Sequence, residues 1–143
     1  VKIAIGSNSP HLNEIRKNRN NLLFDVKIYE DLDGLYKFYS KADLIIGSGG
    51  LSLLERMALG KPSITMIASD NQINQVKWAS ERGGTISFYI NQKFSETDLV
   101  NVINELLMDI TFRNRIGKIA RKILDGNGAI RVTKKIVSKI NIQ

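Results

Sequence analysis

Residues 42–72 read ADLIIGSGGLSLLERMALGKPSITMIASDNQ, and this stretch decides the fold that we predict for the chain. A short apolar run at 44–46 precedes a glycine-rich turn at 47–50. Apolar residues then recur at helical spacing until Gly60, and a second apolar run follows at 63–67. The pattern predicts a strand, a glycine turn, a helix and a second strand, which is the unit from which parallel α/β sheets are built.

The glycine turn predicts a phosphate site. Glycine residues let the backbone approach an anion closely, and the first free N–H groups of the following helix point at it. The turn lacks both the lysine of a Walker A loop and the G-x-G-x-x-G spacing. Two side chains refine this prediction. Ser52 is placed to form a hydrogen bond with a phosphate oxygen. Glu55 lies on the same helix face, where its carboxylate can accept hydrogen bonds from the two hydroxyls of a ribose. The same Ser-x-x-Glu spacing is that of a capping box, which serves only the helix itself, and the sequence leaves both interpretations open.

The rest of the chain continues the alternation of strands and helices. Further strands are predicted at 1–5, 24–29 and 85–89. Helices are predicted at about 11–19, around 32–39 and at 71–82, and three amphipathic helices follow after residue 95, the last at 129–140. This alternation predicts an α/β fold with a parallel sheet in a single domain.

Composition excludes several classes of function. The 143 residues contain no cysteine, which rules out disulfides and thiolate chemistry and fits a cytoplasmic location. No apolar run is long enough to span a membrane. The only histidine, His11, has no orienting partner that the sequence can place, so the catalytic residues stay unknown. One histidine, no cysteine and scattered acidic residues are a poor basis for a metal site, so we predict no metal and no cofactor. The net charge of +7 lies largely on amphipathic helices without interleaved aromatic residues, so we expect solvated helix faces and no nucleic-acid partner.

Three segments together resemble a known family. They are 42–64 with ASDNQ at 68–72, IAIGSNSPHL at 3–12, and DGNGA at 125–129 with Arg131 and Val132. These segments resemble the C-terminal, nucleotide-sugar-binding half of GT-B enzymes. They are most similar to the family of the UDP-sugar hydrolase of the pseudaminic acid pathway and the spore-coat polysaccharide biosynthesis proteins, and more distantly to the family 28 glycosyltransferases.

The resemblance refines the predicted fold. Family members have a further strand and glycine turn ahead of the position where this sequence begins, and the chain starts without Met. We therefore expect residues 1–143 to form a single Rossmann-like, three-layer domain, the C-terminal half of a GT-B enzyme, without the N-terminal domain of the full enzyme. Its five strands would form one parallel sheet in the order 2-1-3-4-5, with ligands at the carboxyl ends of the strands.

The resemblance also implies roles for single residues. The backbone N–H groups of Gly50, Leu51 and Ser52 would hold the diphosphate, with help from the Ser48 and Ser52 hydroxyls. Glu55 would bind the ribose, Tyr29 would line the uracil, and two amides would face the sugar or the distal phosphate. The implied UDP-binding residues are Tyr29, Ser48, Gly49, Gly50, Leu51, Ser52 and Glu55, and the implied sugar-binding residues are Asn71 and Gln72. Simpler interpretations stay open: Asp70 or Asn71 could serve only as a helix N-cap, and Tyr29 could be an ordinary aromatic residue at a strand end.

The function that the resemblance implies is hydrolysis of a UDP-activated amino sugar in surface polysaccharide or nonulosonic acid biosynthesis, with release of UDP. The catalytic groups of that hydrolase lie chiefly in the N-terminal domain, so we expect this chain alone to bind UDP weakly and to be inactive. Two alternatives stay open: the donor-binding domain of a UDP-sugar glycosyltransferase, and a non-catalytic subunit that partners a separate catalytic half. For the last helix we expect its apolar stripe to pack on its own domain, and an exposed stripe would instead favour self-association.

Overall fold

The computed structural model describes residues 1–91 and 93–140, so the last three residues of the predicted domain lie outside the described part. The chain forms two compact units, Val1–Lys37 and Phe38–Gln143. The prediction of a single domain stays a prediction, and each unit is described by itself.

The first unit is a small parallel β-α-β arrangement. Strand β1 (Lys2–Ile5), helix α1 (Leu12–Asn18) and strand β2 (Lys27–Glu30) follow one another, and β1 pairs with β2 from Lys2 opposite Lys27 onward. Its buried apolar side chains are Leu12 and Val26. The unit therefore contains little core of its own.

The second unit contains most of the regular structure. A short helix, α2 (Tyr36–Ser40), spans the boundary between the units in the sequence. The elements that follow it are β3 (Ile45–Ser48), α3 (Leu51–Ala58), β4 (Ser63–Ile67), α4 (Ile73–Glu81), β5 (Ile86–Tyr89), α5 (Glu96–Met108), α6 (Ile110–Ile123) and α7 (Gly128–Ile140).

Helices cover both faces of the sheet in the second unit. Strands β3, β4 and β5 are parallel and β4 lies between the other two. On one face, Ile67 joins a core with Leu53 of α3 and Val76 of α4. On the other face, Ile64 packs in a second core with Leu106 of α5 and Ile116 of α6. The result is a Rossmann-like, three-layer α/β arrangement that brings the glycine turn after β3 to the carboxyl end of the sheet.

The predicted five-stranded sheet is wrong. The described strands form a two-stranded sheet, β1-β2, and a three-stranded sheet, β3-β4-β5, and no hydrogen-bonded ladder joins β1 to β3. A strand inside a parallel sheet that is covered on both faces is buried on both sides. In β1 no residue is buried, and Ile46 of β3 remains 47% exposed, so neither strand has the environment of a central strand. Of the predicted order 2-1-3-4-5, the pairs β2-β1, β3-β4 and β4-β5 are confirmed, and only the pair of β1 with β3 is absent.

The expectation for the last helix is also wrong. No residue of α7 is buried, and its apolar side chains, spaced on one helix face, stay accessible. They are Ile130, Val132, Ile136, Val137 and Ile140. The stripe therefore does not pack on its own domain in this structure.

Within the described residues, no helix combines the length and the apolar character that crossing a bilayer requires.

Candidate functional site

The candidate site begins where strand β3 turns into helix α3. The strand ends at Ser48, Gly50 is the N-cap, and the helix begins at Leu51. Gly50 has φ 83° and ψ −155°, a conformation that is essentially restricted to glycine. This backbone geometry directs the helix N-terminus, with its positive dipole end, to the carboxyl edge of the sheet.

Helix α4 packs directly against this turn. Gly49 is buried, and a Cβ at this position would lie 2.8 Å from Cγ2 of Val76 and 3.0 Å from Cβ of Gln72. Any side chain at position 49 would push α4 away. The glycine therefore serves close packing, and this packing brings the predicted sugar-binding residue Gln72 next to the turn.

The backbone N–H groups of the turn are only partly occupied. Gly49 donates to the Met66 carbonyl at 3.3 Å, and Gly50 donates to Oε1 of Gln75 at 2.8 Å. The N–H groups of Leu51 and Ser52 have no acceptor among the described residues. Two of the three predicted diphosphate donors are thus open, whereas the Gly50 N–H is bonded to a side chain that sequence analysis did not identify.

The capping-box interpretation of Ser52 and Glu55 does not hold in the structure. The N-cap is Gly50 and no side chain caps this helix. The Ser52 hydroxyl contacts the carbonyl oxygens of Ser48 at 3.3 Å and Gly49 at 3.4 Å, while the exposed Glu55 carboxylate makes no hydrogen bond or ion pair within the described part of the chain. Glu55 is thus an unoccupied carboxylate one helical turn from the open N–H groups.

The loop after β4 holds the two predicted sugar-binding residues. Asn71 accepts a hydrogen bond from the Ser69 hydroxyl at 2.6 Å, and Gln72 accepts one from the Ala68 N–H at 3.2 Å. Neither side chain caps α4, whose N-cap is Gln72 without a side-chain hydrogen bond. The N-cap interpretation of Asn71 is therefore not realised, and both amides lie in the loop where β4 ends.

Asp70 ties this loop to the end of β5. Its Oδ1 accepts a hydrogen bond from the Tyr89 hydroxyl at 2.7 Å. This bond to a carboxylate, with a smaller effect of burial, raises the pKa of Tyr89 above its ordinary value of 10.0. The contact joins two loops at the carboxyl edge of the sheet, and sequence analysis did not predict it.

Tyr29, the predicted uracil contact, belongs to the first unit. It lies in β2, half-buried, and lines an open groove of about 540 Å³ with Arg19, Phe24, Asp25 and Lys27. Its role at a uracil stays a prediction.

Arg56 is a residue that the sequence analysis missed. It follows Glu55 on α3 but is only 1% exposed. Its guanidinium donates to the Ser48 carbonyl at 2.9 Å, to the Ser52 hydroxyl at 3.1 Å and to the Thr65 hydroxyl at 3.3 Å. Burial lowers the pKa of Arg56 from its ordinary value of 12.5, and a hydrogen bond to Tyr39 and the charge of Glu55 act in the opposite direction. A fully buried arginine was not predictable, because a charged residue between apolar positions of a helix is usually solvated.

A metal site has no support among the described residues, which contain no cluster of three or more histidine, cysteine, aspartate or glutamate side chains. The polar groups at the carboxyl edge of β3 are instead N–H donors, hydroxyls, amides, one exposed carboxylate and one buried guanidinium. This set suits an anionic ligand that also carries hydroxyl groups.

Comparison with known proteins gives the family. Residues 1–125 match the glycosyltransferase family 28 C-terminal domain. The chain belongs to this family. The matched segment contains the glycine turn, α3 and the loop after β4, and it ends before α7.

Two curated relatives add detail to the family 28 assignment. The chain is 26% identical over 133 residues to the spore coat polysaccharide biosynthesis protein SpsG of Bacillus subtilis, covering 93% of the chain and 39% of that protein. It is 24% identical over 126 residues to the UDP-N-acetylglucosamine–N-acetylmuramyl-(pentapeptide) pyrophosphoryl-undecaprenol N-acetylglucosamine transferase of Finegoldia magna, covering 85% of the chain and 34% of that protein. The chain thus spans less than two fifths of the length of either relative.

The resemblance predicted from the sequence is supported at the level of the family but not at the level of the reaction. The likeness to family 28 and to a spore coat polysaccharide protein is confirmed. The finer prediction, a hydrolase of the pseudaminic acid pathway, has no support in them, and the glycosyltransferase alternative fits them better.

Proposed function

We propose that this chain is the donor-binding domain of a UDP-sugar glycosyltransferase that works in the synthesis of a surface polysaccharide. Membership of family 28 supports the class of enzyme. The name of one relative, a spore coat polysaccharide protein, supports a surface polysaccharide as the product, and that of the other, a transferase named for UDP-N-acetylglucosamine, supports a UDP-activated amino sugar as the donor.

The observation that carries the proposal is the arrangement at the start of α3. The open N–H groups of Leu51 and Ser52 are two donors for the diphosphate, and the helix dipole favours its negative charge. Residues four apart lie on the same face of a helix, so the unoccupied carboxylate of Glu55 stands one turn beyond the Leu51 N–H, where it can accept hydrogen bonds from the ribose hydroxyls. The amides of Asn71 and Gln72 are then available to the sugar.

The chemistry that follows is leaving-group stabilisation. An acceptor hydroxyl attacks the anomeric carbon, the bond between that carbon and the diphosphate oxygen breaks, and UDP leaves with the bonding electron pair. Oriented N–H groups at a helix N-terminus stabilise the charge that develops on the diphosphate. In this proposal the acceptor and the catalytic base are held by an N-terminal domain or a partner subunit, so the chain alone binds UDP and transfers no sugar.

The test is a calorimetric titration of the chain with UDP, UMP and ADP. We expect UDP to bind more tightly than UMP, because the second phosphate reaches the open N–H groups, and more tightly than ADP. We expect Glu55→Gln to weaken UDP binding by about tenfold, or about 1.4 kcal/mol, through loss of the ribose contact.

The matched control is Glu105→Gln, which neutralises an exposed glutamate on α5 and should leave UDP affinity unchanged. Equal affinity for UDP and ADP, or a Glu55→Gln variant that binds as the unchanged chain does, would contradict the proposal. Product analysis on a longer protein that contains this chain separates a transferase, which yields a glycosylated acceptor, from a hydrolase, which yields free sugar.

A further inference from the structure

Arg56 is a buried cation without an ion-pair partner among the described residues. Its side chain is 1% exposed, and no carboxylate in the described part of the chain lies within ion-pair distance of it. Its hydrogen-bond partners are neutral: the Ser48 carbonyl and the hydroxyls of Ser52 and Thr65. Arginine keeps its proton in proteins, so the positive charge is solvated by dipoles, and the charge of the exposed Glu55 acts on it only from beyond ion-pair distance.

The charge lies directly beneath the glycine turn. A Cβ at Gly47 would come within 3.0 Å of Nη1 of Arg56, so the absence of a side chain at Gly47 makes the space for the guanidinium. The Nη2 group bonds the Ser48 carbonyl, which belongs to the last residue of β3 before the turn. Burying an unpaired charge is unfavourable unless other groups compensate for it, and an anion at the turn would supply that compensation.

The contact between Arg56 and Ser52 leaves the serine hydroxyl ready to donate. Nη1 donates to the Ser52 oxygen at 3.1 Å, so the hydroxyl hydrogen must find another acceptor. Its two acceptors, the carbonyl oxygens of Ser48 and Gly49, lie 3.3 Å and 3.4 Å away, which is longer than an ordinary O–H···O hydrogen bond. A phosphate oxygen next to the open Ser52 N–H group would be a better acceptor.

We propose that Arg56 is a positioning residue for a diphosphate ligand: its buried guanidinium supports the turn from below and holds the Ser48 carbonyl and the Ser52 hydroxyl in the arrangement that receives the anion. The proposal rests on the proposed function, because the diphosphate is that of the UDP-sugar. The alternative is a purely structural role, in which the hydrogen bonds of Arg56 only hold α3 against β3 and β4. The test must distinguish this role from the positioning of a ligand.

The test compares Arg56→Met and Arg56→Lys with the unchanged chain, using UDP, uridine and inorganic pyrophosphate as probes. We expect Arg56→Met to lose about tenfold or more in affinity for UDP and for pyrophosphate, since the charge-assisted hydrogen bonds that hold the Ser48 carbonyl and the Ser52 hydroxyl are lost, and less than about twofold for uridine. Arg56→Lys, which keeps the charge but not the planar guanidinium, should recover part of the lost UDP affinity.

The matched control is Met57→Leu, a substitution of the fully buried neighbour on α3. It should change the stability of the chain without changing the ratio of UDP to uridine affinity.

A double-mutant cycle tests whether Arg56 acts through the serine. We expect Ser52→Ala to weaken UDP binding and Arg56→Met to add little in the Ser52→Ala background. Fully additive losses would contradict the positioning role. A second measurement uses the unchanged chain, so it does not depend on any variant folding: the buried guanidinium resonances of Arg56 should shift when pyrophosphate or UDP is added, and unchanged resonances at saturation would overturn the proposal.

The outcomes distinguish this proposal from the proposed function. If UDP binds with the preferences given above and the Arg56 variants lose uridine and UDP affinity equally, the positioning role fails and the proposed function stands. If pyrophosphate binds and depends on Arg56 but UDP and ADP are not distinguished, the positioning role stands and the proposed function fails. If neither UDP nor pyrophosphate binds to the unchanged chain, both are overturned.

Discussion

At the scale of single residues, Asp125 shows how one side chain fixes the start of a helix. Its carboxylate accepts hydrogen bonds from the Asn127 N–H at 2.9 Å and from Arg131 at 2.6 Å, on the first turn of α7. The bond to Arg131 is the largest cause that lowers the pKa of Asp125 from 3.8 to about 2. A depressed pKa means that the contact contributes stability above about pH 4 and loses it as the pH falls toward 2.

We therefore expect an NMR titration of the Asp125 carboxyl group to show a midpoint at about 2. The Arg131→Ala variant should move this midpoint upward toward 3.8, although the Asn127 N–H bond will keep part of the shift. The Lys134→Ala variant, which removes another cation of α7, is the control and should leave the midpoint in place. A midpoint that does not respond to Arg131→Ala would show that the ion pair is not the cause.

At the scale of elements, α7 presents an apolar face that nothing in the described structure covers. Five β-branched apolar side chains on this helix are 49–66% exposed, and the arginine and lysine residues lie on the opposite arc. An exposed apolar stripe of this kind favours association. We expect the chain to self-associate in a concentration-dependent way, as measured by sedimentation velocity.

Substitution within the stripe should reverse this behaviour. Ile136→Glu and Val137→Glu place a charge on the apolar face, and each should increase the monomer fraction. Ser138→Glu adds the same charge on the polar arc and is the control, which should have little effect on association. A chain that stays monomeric at all accessible concentrations would rule out self-association through α7.

At the scale of the whole molecule, the two units differ in how much core they contain. The first unit buries Leu12 and Val26 and has a two-stranded sheet, whereas the second has two apolar clusters on the faces of a three-stranded sheet. A two-stranded sheet with little core is marginally stable on its own. We expect native-state hydrogen exchange to show weaker protection for the amides of β1 and β2 than for those of β4.

The control for this comparison lies within the second unit. The amides of β3 and β5, which flank β4, should exchange with protection intermediate between those of β4 and β1. Equal protection in β1 and β4 would mean that both units unfold only in the global transition, and would contradict the prediction.

The sequence by itself determined the local structure of this protein. The apolar runs predicted all five strands, with the bounds of β4 matching residue for residue, and apolar spacing together with local helix-start signals predicted the seven helices. Ser95 caps α5, and its hydroxyl accepts a hydrogen bond from the Asp98 N–H, as the spacing Ser-x-x-Asp before an apolar helix favours. These features were accessible because they depend on residues that are close together in the chain. The glycine turn before α3 was predicted for the same reason.

Only the tertiary structure decided the contacts between distant parts of the chain. It leaves β1 unpaired with β3, it brings Gln75 onto the N–H of Gly50, and it buries Arg56 against groups eight or more residues away, such as the Ser48 carbonyl and the Thr65 hydroxyl. It also decided against the capping box, because the glycine turn makes Gly50 the N-cap and places Ser52 inside the first turn. Such contacts join residues that are distant in sequence, so their free energy depends on packing and burial in the folded chain, which local periodicity does not encode.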